Sequence, residues 1–256
     1  MTKPITAFIP YNGNEFTRRT VGQLRASNLV DKVYLLATGD TPVDIEKCRV
    51  LKVESLFGSK SLRLVAEKSK SRYTLFITQD TPIEFGEFAF ERFLSVADNT
   101  GAGLVYSDYF CIKGGKRVAH PAIDYQLGSI RDDFNFGSVL FFNSTALRQA
   151  VEKNGKADFR FAGLYSARLA ISRKWPIFRI GEYLYTQAED DVRKSGEKQF
   201  DYVDPRNHSV QVETEIVVTH HLKRIGAYLK PKFKKVNLDK GSFEYEASVI
   251  IPVKNR

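Results

Sequence analysis

The sequence contains few of the residues on which disulfide and metal chemistry depend. Its 256 residues include two cysteines, Cys48 and Cys111, and four histidines. The cysteines lie far apart without metal-ligand spacing, and the histidines lack the spacing of a zinc protease. A disulfide framework and a zinc centre are therefore not expected, and the cysteines are interpreted as buried thiols in a reducing compartment.

Long apolar runs are also absent. No run reaches the roughly 18 residues that a membrane span requires, and the amino-terminal segment lacks the apolar stretch of a secretory signal. The Gly-x-Gly-x-x-Gly, Gly-Lys-Ser/Thr and nucleophile-elbow motifs are missing too. These absences predict a cytoplasmic protein that is neither a dinucleotide dehydrogenase, nor a P-loop enzyme, nor a serine hydrolase.

Acidic residues are outnumbered by basic ones, 30 to 39, which gives a formal net charge of +9. This balance favours anionic partners such as nucleotides, nucleic acid or an anionic membrane. Many of the bases lie between His220 and Lys240, which is interpreted either as a solvated linker or as a contact with the inner face of the membrane. Nucleic acid is not an expected partner, because the aromatic residues follow core patterns and no recognition motif is present.

The apolar pattern predicts an α/β fold with a mostly parallel, twisted sheet flanked by helices. Strands are expected at Ile5–Pro10, Lys32–Ala37, Arg49–Val53, Tyr73–Ile77 and Gly103–Tyr109, with helices between them. Helices are expected at Glu84–Ala97 and, near the end of the chain, at Glu213–Leu229. Beyond Tyr109 the pattern becomes mixed: Gly114–Gly115 is typical of a hairpin turn between Tyr106–Ile112 and Lys116–Ile123, and two short strands are expected at Pro176–Ile180 and Tyr183–Tyr185. The predicted parts are an α/β half over about 1–108, a mixed half over about 109–212, and a helix with a basic linker over 213–240.

The beginning of the chain nearly recurs at its end. The opening segment Ile5–Asn12 and the closing segment Ala247–Arg256 each contain a short apolar run, then Pro, then Asn. We interpret 241–256 as the truncated start of a second, similar domain; the alternative is chance similarity between two short strands.

Polar residues follow three predicted parallel strands, where an open α/β sheet binds its ligands. The three loops are 10–12, 38–40 and 78–80. Tyr11 could stack on a base, Asp40 could accept a hydrogen bond from a base or ribose, and Asp80 could hold a divalent cation at a diphosphate. Each residue alone is more typical of a turn or helix cap; the hypothesis of a nucleotide site depends on their convergence.

Four segments resemble the family 2 glycosyltransferases, which have the GT-A fold. They are Phe8–Asn12, Gly58–Arg63, Tyr73–Asp80 and, most closely, Ser248–Arg256. The resemblance implies transfer of a sugar from a nucleotide-diphosphate donor, expected to be uridine-linked, to a glycan or lipid-linked acceptor in surface polysaccharide assembly. It also implies Mg²⁺ or Mn²⁺ as cofactor, a donor half and an acceptor half in the order given above, and a second GT-A domain as partner.

The resemblance assigns donor contacts and metal ligands to particular residues. The family's Asp-x-Asp element corresponds to Thr78-Gln79-Asp80, so that Asp80 is the implied metal ligand. Some members use a carboxy-terminal histidine as a further metal ligand, to which His221 corresponds; the alternative, which the sequence favours, is that His220 and His221 form a pair on a helix surface. The remaining implied donor contacts are Pro10, Tyr11, Asn12, Thr38, Asp40, Arg63 and Gln79.

The family's catalytic acidic pair falls on Gly163 and Leu164, neither of which can act as a base. Asp132 and Asp133, which follow Arg131, are the substitute candidates, with a local ion pair as the alternative reading. A further acidic cluster at 189–191 is interpreted as a solvated run. The missing pair supports a second hypothesis, that this domain is a non-catalytic GT-A module binding a nucleotide, a glycan or a partner catalytic domain.

Overall fold

The computed structural model describes residues 3–13, 15–39, 45, 48–153, 158–188, 208–235 and 249–250. The strands are β1 (Ile5–Tyr11), β2 (Val30–Ala37), β3 (Arg49–Lys52), β4 (Tyr73–Ile77), β5 (Ile83–Phe85), β6 (Leu104–Lys113), β7 (Lys116–His120), β8 (Val139–Asn143) and β9 (Ile177–Ala188). The helices are α1 (Phe16–Ala26), α2 (Ser59–Lys68), α3 (Ala89–Thr100), α4 (Ser144–Lys153), α5 (Gly163–Ser172) and α6 (His208–Arg224).

The strands form one sheet in the order β3-β2-β1-β4-β8-β6-β9-β5, with β7 paired to β6. Its first four strands are parallel. Strand β8 is antiparallel to both β4 and β6, whereas β9 runs parallel to β6. The parallel half followed by a mixed half agrees with the sequence prediction.

Strands β1 and β4 are buried along their whole length because helices cover both faces of the sheet. Alternate side chains such as Ile9 and Phe8 point to opposite faces. On one face, Ile9 belongs to a core with residues of α1 and α3. On the other face, Phe8 packs with residues of α2, α4 and α5. Helix α6 adds a smaller cluster through Leu169 and Val217.

Several predicted boundaries differ from the structure. The helix expected over Glu84–Ala97 begins only at Ala89, because Ile83–Phe85 pairs with β9 instead. The two short strands expected after Pro176 form one strand, β9.

Strand β7 was expected to reach Ile123 but ends at His120. Asp108 accepts a hydrogen bond from the Ala122 N–H at 2.9 Å and also binds Arg179, with both oxygens 2.7 Å from the guanidinium. These bonds draw the chain away from the sheet edge after β7.

Helix α6 begins before the predicted Glu213 and ends before the predicted Leu229. Gly226, with a left-handed φ of 74°, follows its last turn, and the next amide, of Ala227, bonds back to Leu222 at 2.9 Å. Glycine at this position is a common helix stop.

Some predictions fall outside the described residues: those for Asp40, for the acidic cluster at 189–191 and for most of 241–256. Across the part of the chain that is described, no helix combines the length and apolar character that crossing a bilayer would need.

Candidate functional site

The loops after β1, β2 and β4 meet in one hydrogen-bonded network. Asp80 accepts the Asn12 backbone N–H at 3.1 Å and the Thr17 hydroxyl at 3.3 Å. The Thr38 hydroxyl in turn donates to the Asn12 side-chain oxygen at 3.1 Å. Residues from three predicted donor-binding loops are therefore in contact, and Thr17 of α1 joins them.

The parallel register explains this meeting. Tyr11 pairs with Ala37 across β1 and β2, and Phe8 pairs with Phe76 across β1 and β4. Strands β1, β2 and β4 therefore end at the same edge of the sheet, where the loops that follow them lie side by side. Asn12 and Thr38 are exposed there and Asp80 is half-buried, so that a ligand can reach the network.

Tyr11 does not offer its ring at this edge. Its side chain is only 5% exposed and belongs to the core beneath α1 and α3, and Pro10 is buried as well. The alternation of β1 turns Tyr11 inward with Ile9, because side chains two residues apart share a face. Stacking of Tyr11 on a nucleobase, expected from the sequence, is not supported by this arrangement.

Residues 78 and 79 tie the loop after β4 to the start of β8. The Thr78 N–H donates to the Ser138 carbonyl at 2.9 Å, and the Ser138 hydroxyl donates to the Gln79 side-chain oxygen at 2.7 Å. Gln79 therefore positions the loop that carries Asp80, in addition to its predicted contact with the donor.

A cavity of about 310 Å³ opens beside Thr78. Its wall is mostly apolar and aromatic, with Phe57, Phe134, Phe136, Phe161, Leu164 and Tyr165 among the lining residues. Polar groups enter it from Thr78, Asp132, Asn135 and Arg168. A concave apolar surface with a few polar groups is the usual form of a small-molecule site. We call it the aromatic cavity.

The two candidate bases occupy different positions. Asp132 lines the aromatic cavity. Asp133 instead forms a two-pronged ion pair with Arg131, at 2.9 and 2.8 Å. The hydrogen bond from Arg131 lowers the pKa of the Asp133 carboxyl, which weakens it as a base. The geometry therefore favours Asp132, and the local ion pair considered as an alternative for the acidic pair exists at Asp133.

Gly163 lies against the backbone at the start of α2. A Cβ at Gly163 would lie 2.5 Å from the Gly58 carbonyl carbon and 2.6 Å from the Phe57 oxygen. The next residue, Leu164, donates its N–H to the same Phe57 oxygen at 3.0 Å and lines the aromatic cavity. A side chain has no room at position 163 in the packing of α5 on α2, so the first of the two positions that the resemblance assigned to an acidic pair does not accept an acid here.

Arg63 lies on α2, where its Nη2 contacts Asp158 at 3.2 Å. Lys60 approaches the same carboxylate at 3.4 Å. Both pairs are largely exposed, so that a diphosphate could compete with Asp158 for the cations. The predicted role of Arg63 in facing the diphosphate stays a prediction.

His221 does not share surroundings with Asp80. Its ring, 4% exposed on α6, accepts a hydrogen bond from Arg173 at 3.3 Å. Burial, followed by the charges of Arg173 and other arginines, lowers the pKa of His221. The Arg173 guanidinium occupies Nδ1 of the His221 ring and repels cations. The expectation that His221 ligates a metal is therefore not supported.

Asp80 fits the requirements of a divalent cation that the donor itself helps to hold. Within the described ranges, no group of three or more His, Cys, Asp or Glu side chains could hold a metal ion. Magnesium, however, is commonly bound by one or two carboxylates together with substrate phosphates. One carboxylate at the strand ends is thus compatible with Mg²⁺ or Mn²⁺ bound jointly by Asp80 and a diphosphate.

Two residues of the site were missed from the sequence. Arg168 is a single cation among apolar and small residues of α5, and it is buried in the cavity wall. Glu213 of α6 accepts backbone N–H bonds from residues 160, 161 and 162 at 3.0, 2.7 and 3.0 Å. The lone charge in an apolar helix was a usable signal for Arg168; nothing in the local sequence pointed to Glu213.

Comparison with known proteins identifies the fold. No protein-family model and no curated protein sequence matches the chain. Among solved structures, this chain is similar to residues 1–349 of TarS from S. aureus, with a TM-score of 0.53 and 11% sequence identity. The match covers 89% of this chain and 72% of the TarS fragment.

The same TarS fragment in complex with UDP-GlcNAc matches with a TM-score of 0.53 and 9% identity, over 89% of this chain and 73% of that one. The longer TarS structure matches with a TM-score of 0.52 and 11% identity; 89% of this chain covers 44% of it. At these identities the likeness concerns the fold alone. The chain has a GT-A-like fold, as predicted.

Proposed function

We propose that this chain binds a nucleotide-diphosphate sugar, uridine-linked in the simplest case, and transfers its sugar to a glycan or lipid-linked acceptor. The observation that carries the proposal is the network of Asn12, Thr38 and Asp80 at the ends of three adjacent parallel strands. It stands beside the aromatic cavity, since Thr78 lines that cavity two residues before Asp80. TarS, a glycosyltransferase of similar fold whose structure includes UDP-GlcNAc, supports the choice of donor.

In this proposal the strand ends hold the nucleotide and diphosphate, and the aromatic cavity receives the sugars. A Mg²⁺ or Mn²⁺ at Asp80, when bound, would neutralise charge on the leaving diphosphate. The bond from the sugar's anomeric carbon to the diphosphate breaks, and a bond from that carbon to an acceptor oxygen forms. Asp132 takes the proton of the acceptor hydroxyl, because its carboxylate lines the cavity and Asp133 is engaged by Arg131.

One observation favours a second candidate function, a non-catalytic module that binds a nucleotide, a glycan or a partner catalytic domain. The backbone at Gly58 excludes a side chain at Gly163, where the resemblance places one of the two catalytic acids, and the other position holds Leu164. If Asp132 does not act as the base, this domain retains a binding surface without the group that activates the acceptor.

The partners proposed beyond the substrates involve the carboxy-terminal part of the chain. The basic stretch after α6 exposes several apolar side chains, most fully Leu229 at 90% and Phe233 at 92%. Bases next to exposed apolar groups suit either an anionic membrane surface or a following domain. We propose the second GT-A domain suggested by 241–256 as the partner and the inner membrane face as an additional contact.

The first test is calorimetric titration with UDP, with and without Mn²⁺. The proposal expects Mn²⁺-dependent binding that Asp80→Asn weakens about tenfold or more, since the amide keeps a hydrogen-bond acceptor but loses the charge a cation needs. Asp31→Asn is the matched control, because Asp31 lies near the opposite end of β2. Absence of UDP binding by the folded chain would refute the donor site. Metal-dependent binding without turnover of any UDP-sugar would select the binding module.

A further inference from the structure

A buried cation in the wall of the aromatic cavity is not used by the proposed donor site. Arg168 of α5 lines the cavity although its side chain is only 4% exposed. Its Nη2 donates to the Arg131 carbonyl oxygen at 2.7 Å. Its Nε–H is buried and has no hydrogen-bond partner in the part of the chain that the structure describes. Buried polar groups are nearly always hydrogen-bonded, so an unpartnered donor at a cavity needs an explanation.

Arg168 also lacks a carboxylate partner. None of the ion pairs among the described residues includes it, although Asp132 is near enough to attract it. Instead its guanidinium lies over three rings, 4.8 Å from Tyr165, 5.6 Å from Phe136 and 5.7 Å from Tyr125. Such rings compensate a buried cation only in part. The guanidinium also donates a hydrogen bond to the Tyr165 hydroxyl, yet its Nε–H stays without an acceptor among the described residues. An oxyanion would supply that acceptor.

The rest of the cavity suits a sugar ring. Aromatic residues such as Phe134 and Phe161 supply flat apolar surface, and Asn135 and Thr78 supply polar groups. Apolar walls with a few placed polar groups are typical of sites that orient a small ligand. Because Asp132 repels anions, an anionic substituent is expected at the Arg168 side of the cavity.

We propose that Arg168 recognises an oxyanion, a carboxylate or a phosphate, carried by the saccharide that enters the aromatic cavity. Arginine suits this role because its planar fork matches the geometry of both groups. This inference rests on the proposed function, because it specifies that the sugar of the donor or the acceptor is an acidic saccharide. Binding of the saccharide can nevertheless be measured without nucleotide.

The test follows the Nε–H resonance of Arg168 in ¹H–¹⁵N spectra of the whole chain during titration with four probes: glucuronate, glucose 6-phosphate, glucose and inorganic phosphate. We expect at least one acidic sugar to shift this resonance and to bind about tenfold or more tightly than glucose. Whether glucuronate or glucose 6-phosphate binds more tightly identifies the anion. Equal binding of glucose and both acidic sugars would overturn the proposal, as would phosphate alone binding as well as either acidic sugar.

Variants separate recognition from charge. Arg168→Lys keeps a cation but loses the planar fork, so saturation-transfer spectra should show at least about tenfold weaker binding of the acidic sugar. Arg117→Lys is the control, since Arg117 lies on β7 over the Phe110 ring and should bind like wild type. Unchanged binding by a folded Arg168→Lys variant would contradict the proposal. UDP binding with no preference for acidic sugars refutes this inference alone; acidic-sugar binding without UDP binding refutes the donor site alone.

Discussion

Asp132 and Asp133 are neighbours in the chain, yet their surroundings give them different chemistry. Asp132 lines the aromatic cavity and Asp133 forms its ion pair with Arg131 outside it. Proximity to the cavity qualifies a carboxylate as a base, whereas the Arg131 hydrogen bond lowers the pKa of Asp133 and reduces its basicity. Asp132 is therefore the proposed base chiefly because its carboxylate lines the cavity; the lowered basicity of Asp133 is a second reason.

This difference predicts unequal effects of two matched substitutions. Asp132→Asn should lower UDP release from an accepted UDP-sugar by about 10²-fold or more, because general-base catalysis contributes on that scale. Asp133→Asn should change it less than about threefold, since the effect of a largely exposed ion pair is small. Steady-state assays on both variants decide the assignment. Equal losses, or a larger loss in Asp133→Asn, would show that Asp132 is not the base.

Replacing Gly163 by alanine and replacing Gly22 by alanine should change the stability of the fold in opposite directions. Gly163→Ala should destabilise the fold by about 1–3 kcal/mol, because the added methyl group meets the backbone of Phe57 and Gly58. Gly22→Ala in α1 should stabilise it by about 0.5–1 kcal/mol, since nothing lies within 4 Å of the added carbon. Urea unfolding of both variants measures the difference. A Gly163→Ala protein as stable as wild type would show that α2 and α5 can separate at no cost.

At the scale of elements, one carboxylate of α6 binds the segment that leads into α5, beside the Leu169–Val217 and Arg173–His221 contacts. Glu213 accepts the backbone N–H groups of Arg160, Phe161 and Ala162, which lead into α5. These N–H groups immediately precede α5, which begins at Gly163, and an anion beside a helix N-terminus interacts favourably with the helix dipole. Because Val210 and Thr214 of α6 line the aromatic cavity, this contact also sets one of its walls.

Replacing this carboxylate should loosen α6. Glu213→Gln places an amide N–H₂ against three backbone donors, so we expect a loss of about 1–3 kcal/mol in the free energy of unfolding. Hydrogen exchange should accelerate at the amides of residues 160–162. Glu215→Gln, at an exposed position on the same helix, should leave both measurements unchanged. Equal exchange rates in the two variants would mean that α6 docks without the Glu213 bonds.

At the scale of the whole molecule, the chain is a GT-A-like sheet with a surplus of positive charge, formally +9. Part of that charge is concentrated where α5 meets α6, since Arg173 and Arg224 line a small cavity with His220 and His221. Adding a proton there increases repulsion within a protein that is already cationic. Stability is therefore expected to depend on pH through this interface.

His221 gives the sign of the pH effect. Burial, then the charge of Arg173, lowers its pKa in the folded chain below the ordinary 6.5. The unfolded chain thus binds the proton more readily, so stability is full above about pH 6.5 and falls as the pH drops below it. His221→Gln should flatten urea-unfolding midpoints between pH 7 and 5 relative to His220→Gln, whose exposed site keeps the wild-type slope. Identical slopes would exclude His221 as the source.

The sequence by itself determined the α/β fold and the meeting of Asn12, Thr38 and Asp80. Both follow from local patterns: apolar runs specify buried strands, and parallel strands deliver the residues after them to one edge. Only the tertiary structure decided which way a side chain faces and what lies opposite it. Two features decided in this way are the inward orientation of the Tyr11 side chain and the burial of Arg168.

The same is true of contacts between distant segments. The closure of the α5 start at Gly163 depends on α2, about a hundred residues earlier, and the binding of residues 160–162 by Glu213 depends on a helix beyond β9. Periodicity records which residues are apolar, but it does not record which distant backbone fills a given space. The meeting of the loops after β1, β2 and β4 was therefore predictable from the sequence, whereas the aromatic cavity and its candidate base were decided by packing.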